Sequence, residues 1–81
     1  MEIVEIARGH IIVRTGDKTV KFYGEALLRG HGSPDFVVYS DSIKRCGSQD
    51  ECEELSGEEK IEVLDFLRGE FVRRNMTIEI N

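Results

Sequence analysis

LSGEEKIEVLDFLRGEFVRRN, residues 55–75, is the one stretch long and periodic enough for a substantial helix, and its reading decides the fold. Ser56 followed three residues later by Glu59 makes a capping box, in which the hydroxyl accepts from the Glu59 amide and the carboxylate accepts from the Ser56 amide. On a helical wheel Ile61, Leu64, Leu67, Phe71 and Val72 share one arc with Val63 on its edge, while Glu58, Glu62, Asp65 and Arg73 lie outside. One face is therefore built for burial, and Phe66 is expected to project into the polar arc. Acids in the first turn and Arg73 and Arg74 in the last complement the helix dipole, and Asn75 suits the left-handed stop.

The rest of the chain must supply a surface for that face. Glu2 to Arg8, His10 to Thr15 and Lys18 to Tyr23 are short segments rich in β-branched residues, separated by Gly9 and by Gly16-Asp17. A Gly-Asp pair suits a type II′ hairpin, which sets Thr15 against Lys18, Val13 against Val20 and Ile11 against Phe22. With Arg8-Gly9 as a second two-residue turn, Val4 faces Val13 and Ile6 faces Ile11. The meander then gathers Val4, Ile6, Ile11, Val13, Val20 and Phe22 on one side, the seat for the helix.

Asp35 to Tyr39 reads as a fourth strand, and Met76 to Ile80 as a last one with Met76, Ile78 and Ile80 inward. Glu25 to Arg29 and Ser40 to Cys46 are short turns or irregular edges, residues 30–34 a loop, and residues 47–54 loop by composition. Chain direction allows the C-terminal strand to lie antiparallel beside the first. The expectation is a single α+β domain over residues 1–81: an antiparallel β-meander sheet of about five strands, one long helix packed on one face, and the C-terminal strand beside the first.

A chain of 81 residues with 40% hydrophobic content makes one small core and leaves no room for a large catalytic cavity. No apolar run approaches the roughly 18 residues of a membrane span, and the N-terminus MEIVEI lacks the basic-then-apolar layout of a signal peptide, so a cytoplasmic, non-membrane protein is expected. Sixteen acids against eleven Lys and Arg give a net charge of −5, which argues against nucleic-acid binding and favours a basic partner.

Candidate chemistry is sparse. Cys46 and Cys52 do not have the CxxC spacing of zinc or thioredoxin-like sites, and two free thiols are expected, with no metal and no cofactor. Gly30-His31-Gly32-Ser33 lacks the lysine and following helix of a phosphate loop, and His31 and Ser33 have no identified third group to orient them. Glu25, Asp35 and Asp41 are carboxylates without a spacing that singles out a pair. No catalytic residue emerges.

Charge is more informative. Between Asp50 and Glu62 the chain carries seven acids against only Lys60. The helix dipole accounts for Glu58 and Glu59 but not for the four acids before Leu55. Asp50, Glu51, Glu53, Glu54, Glu58 and Glu62, with Phe66 as an aromatic anchor beside them, form the candidate partner-binding surface.

The order of features then resembles a known family. A β-meander ending in Gly24-Glu25, then Asp35-Phe36-Val37-Val38-Tyr39, then Ser42-Ile43, then Ser56-Gly57-Glu58-Glu59-Lys60-Ile61 opening a long helix, is similar to the small α+β immunity proteins of bacterial polymorphic toxin systems, the family numbered seventy-four. The resemblance covers most of the chain. It implies a cytoplasmic, non-catalytic protein that binds and occludes a cognate toxin. The alternative is a structural homo-oligomer, such as a homodimer, pairing through the reverse face of the sheet with Ile3, Ile12 and Tyr23 at the contact.

Overall fold

The computed structural model describes residues 1–27, 32, 34–47 and 51–81. Their order is β1 (Glu2–Ile6), β2 (His10–Thr15), β3 (Lys18–Ala26), β4 (Phe36–Val38), a 3-10 turn (Ser40–Ser42), β5 (Lys44–Cys46), β6 (Cys52–Glu54), α1 (Gly57–Arg73) and β7 (Ile78–Ile80). The α+β class, the meander and the one long helix are as expected from sequence; the described strands number seven rather than about five. The Gly30-His31-Gly32-Ser33 motif lies largely outside the described residues.

The first three strands form by local chemistry. Gly16 takes φ 67° at the β2–β3 turn, and the register is the one the Gly-Asp pair dictates, with Val13 opposite Val20 and Ile11 opposite Phe22. Those four side chains are buried. At β1 the expected register needs correcting. Ile6 does face Ile11, but a bulge between Ile3 and Glu5 sets Ile3, not Val4, against Val13. The extra residue reverses the alternation, so Val4 is exposed and Ile3 packs on the core.

β3 is long enough to serve two neighbours on one side. Thr19 to Lys21 pair with β5, and Gly24 to Ala26 pair with β4. At the changeover, Ser42 Oγ accepts from the Tyr23 N–H at 3.0 Å and donates to the Tyr39 carbonyl at 2.5 Å, while the Tyr39 N–H donates to the Tyr23 carbonyl at 2.9 Å. The Tyr23 backbone groups, which would otherwise lack a strand partner at the split, are thereby satisfied. Gly24 sits where β4 leaves no room for a side chain: a Cβ there would lie 1.9 Å from the Val37 carbonyl oxygen.

The C-terminal strand is beside β4 and parallel to it, not antiparallel beside the first. Two features explain the correction. The β1 edge is bulged and carries Glu2, ion-paired to Arg14, and Glu5, hydrogen-bonded to His10, which makes it a poor edge for another strand. The β4 edge instead offers Asp35, whose carboxylate accepts from the Thr77 N–H at 2.8 Å and whose own N–H donates to the Thr77 carbonyl at 3.0 Å. Met76, Ile78 and Ile80 then pack on the core as expected.

The helix has the predicted cap. Glu59 N–H donates to Ser56 Oγ and Ser56 N–H to Glu59 Oε1, and Asn75 takes the left-handed φ of 58° after the last turn. Its buried face, however, is rotated from the predicted arc: Val63, Leu67 and Phe71 are buried, and Leu64 and Phe66 flank them half-buried. Ile61 and Val72, expected inside, are 63% and 75% exposed. The i, i+4, i+8 row is what fits over Ile11, Val13, Val20, Phe22, Phe36 and Val38.

Candidate partner-binding surface

Residues 44–46 and 52–54 read KRC and CEE, and they pair antiparallel as β5 and β6 with Lys44 opposite Glu54, Arg45 opposite Glu53 and Cys46 opposite Cys52. Opposite charges facing across a strand pair favour this register. The Gly47 N–H donates to the Glu51 carbonyl at 2.8 Å to close the hairpin. The register brings the Cα atoms of Cys46 and Cys52 to 4.1 Å, and the two are joined in a disulfide. The expectation of free thiols is therefore corrected. Linear spacing carries no information on this bond, whereas two short strands that set the cysteines opposite each other bring the sulfurs together.

Arg45 is the hub of the surface. Its Nε donates to Glu53 Oε1 at 2.9 Å and its Nη1 donates to the Glu59 carboxylate, tying β5 to β6 and to the first turn of α1. Lys18 approaches Glu53 at 3.6 Å, and Lys44 Nζ donates to Glu54 Oε1 at 3.0 Å. These contacts shift titrations in the direction of charge. Hydrogen bonds from Arg45 hold the Glu53 carboxyl below its ordinary range, and Lys44 does the same for Glu54. Glu59 is lowered first by the Ser56 amide and next by Arg45, while its acceptance raises the Arg45 guanidinium.

The acidic region is thus less negative than the linear sequence suggests. Glu53 and Glu54 are spoken for by cations from β3 and β5, and Glu59 by the cap and Arg45. Glu51, Glu58 and Glu62 are exposed and form no ion pair among the described residues. Asp50 lies outside the described residues. Phe66 is not the free-standing aromatic that its wheel position implied: it is half-buried against the core.

Between the helix and the meander, beside these carboxylates, lies a hollow of about 150 Å³. Val20, Leu55 and Val63 give it an apolar floor, and Arg45, Glu59, Glu62, Thr15 and Met1 form its rim. Sequence reasoning missed Arg45, Lys44 and Lys18 as members of this surface. The mirrored charges of KRC and CEE on either side of a short polar stretch were the available signal.

On the reverse face of the sheet Tyr23 is exposed and Ile12 half-buried, but the bulge has turned Ile3 to the core side. The contact imagined there for a homo-oligomer loses one of its three apolar residues.

The family model described as Immunity protein 74 matches residues 3–81. The chain belongs to that family. No curated protein and no solved structure matches it. Membership of the immunity protein 74 family covers every element of the fold: the match runs from Ile3 in β1 through the β5–β6 hairpin and α1 to the end of β7. Among the described residues of this immunity protein, no helix is long and apolar enough to cross a membrane.

Proposed function

We propose that this immunity protein neutralises a cognate toxin domain by non-catalytic binding, with the acidic region between Asp50 and Glu62 meeting a basic surface of the toxin. Membership of an immunity family supports the role. The observation that carries the choice of surface is the hollow whose rim holds Glu62 beside the Arg45–Glu59 ion pair. An apolar floor of Val20, Leu55 and Val63 beneath the Glu62 carboxylate suits a lysine or arginine side chain, whose aliphatic stem lies on the floor while its charged head meets the acid. Glu51 and Glu58 are exposed and carry the steering charge, while Glu53 and Glu54 are already paired with Arg45 and Lys44 and border the surface as ion pairs. Phe66, on the α1 flank next to Glu62, contributes apolar contact from its exposed part.

The test is a kinetic binding measurement against the product of the neighbouring gene at two salt concentrations. Replacing Glu51, Glu58 and Glu62 by Gln is expected to slow association and flatten its salt dependence, since steering charges act on the approach. Replacing Phe66 by Ala is expected to speed dissociation. An association rate and salt response identical to wild type would remove the acidic region from the interface.

A further inference from the structure

Among the described residues, nothing packs on the outer face of α1. Ile61 and Val72, 63% and 75% exposed, lie there on one stripe with Asp65 and Arg68. Gly69 stands on the same side, exposed in mid-helix, and a Cβ built on it would meet nothing within 4 Å. Glycine is among the poorest helix formers, and neither packing nor backbone conformation within this chain requires one there. A glycine on an otherwise open helix face suits the close approach of a second helix.

We propose that this face is a two-fold interface between two copies of this chain, with the α1 helices packed antiparallel. The pattern that selects a second copy is self-complementarity. Ile61 and Val72 are equidistant from the midpoint between Phe66 and Leu67, and so are Asp65 and Arg68. A two-fold axis through that point sets Ile61 level with Val72 of the second copy and Asp65 level with its Arg68, each contact occurring twice. Within one chain the Arg68–Asp65 pair is a loose one, 3.7 Å apart with both side chains more than half exposed, so the charges are available to the second copy. A receiving site is present as well. A hollow of about 280 Å³ beside Val72, lined by Arg68, Phe71, Val72, Met76, Thr77 and Ile78, lies where this register delivers Ile61 of the second copy. The dimer requires no toxin, although Glu58 and Glu62 border this face, so the two surfaces adjoin along α1.

Charge reversal tests it with exposed residues alone. Sedimentation equilibrium of the wild type over a range of concentrations is expected to show a monomer–dimer equilibrium. Asp65→Arg and Arg68→Asp, each made singly, place like charges level twice per dimer, and each is expected to raise the dimer dissociation constant about tenfold or more. Mixing the two variants one to one restores both opposite-charge contacts, so a heterodimer is expected with near wild-type affinity. Val72→Asp, in the apolar part of the stripe, is expected to give a monomer with an unchanged thermal melt at low concentration. A wild type that stays monomeric up to about 1 mM overturns the proposal and leaves the face to a different protein. Single variants that dimerise as well as wild type place any dimer contact elsewhere and overturn it too. So does a mixture that fails to recover, because the antiparallel register requires the exchange.

Discussion

Arg45 and Glu59 are joined in an ion pair between β5 and the first turn of α1, fourteen residues apart in the chain. The same carboxylate closes the helix cap by accepting from the Ser56 amide. One residue therefore starts the helix and fastens its start to β5.

That arrangement has a pH signature. Glu53, Glu54 and Glu59 are all lowered from an ordinary value near 4.5. Between the lowered values and the ordinary one, the unfolded chain binds more protons than the folded one, so stability rises with pH. The contribution is complete above the ordinary value and is lost as pH falls through the folded-state values. Thermal melts from pH 7 down to 3 should show this loss. Arg45→Met removes the leading cause for Glu53 and the second for Glu59, and should flatten the acid limb. An unchanged limb would assign the acid sensitivity to other carboxylates.

The disulfide makes a chemical prediction. Thiol titration of the denatured, unreduced protein should find no free thiol. The bond closes a loop across a sequence separation of six, and removing it by Cys52→Ser should cost about 2 kcal/mol by the chain-entropy relation. Wild type treated with a dithiol reductant should melt like the variant. Two titratable thiols in the oxidised protein would refute the bond.

Gly24→Ala tests the β3–β4 contact. The added Cβ would stand 1.9 Å from the Val37 carbonyl oxygen and 2.8 Å from the Phe36 ring, so backbone must shift. A loss of about 3 kcal/mol is expected in urea unfolding. A neutral result would mean that β4 does not approach β3 this closely.

The rotated helix face is checked by a pair of truncations. Phe71→Ala, at a fully buried site, should cost roughly 3 to 5 kcal/mol. Ile61→Ala, on the exposed side, should stay within about 0.5 kcal/mol of wild type when measured at low protein concentration. The reverse order would restore the arc that the hydrophobic pattern alone suggests.

The sequence by itself determined what lies within a few residues of its cause. Gly16-Asp17 set the β2–β3 register because a two-residue turn leaves one way to pair the strands. Ser56 and Glu59 started the helix because both cap bonds close within one turn. The hydrophobic residues of α1 were legible as a set, but not which of them face inward: Ile61 and Val63 differ only in the direction from which the sheet approaches. The tertiary structure decided that direction, the parallel seat of β7 beside β4, and the Cys46–Cys52 bond. It also decided how much of the acidic region is free, since Lys44 and Arg45 reach it across the β5–β6 hairpin and Lys18 from β3, remote in the chain. Apart from the β5–β6 hairpin and its disulfide, those outcomes depend on pairs brought together from distant parts of the chain. Their entropy of closure is repaid only when the whole core is buried, so no local pattern announces them.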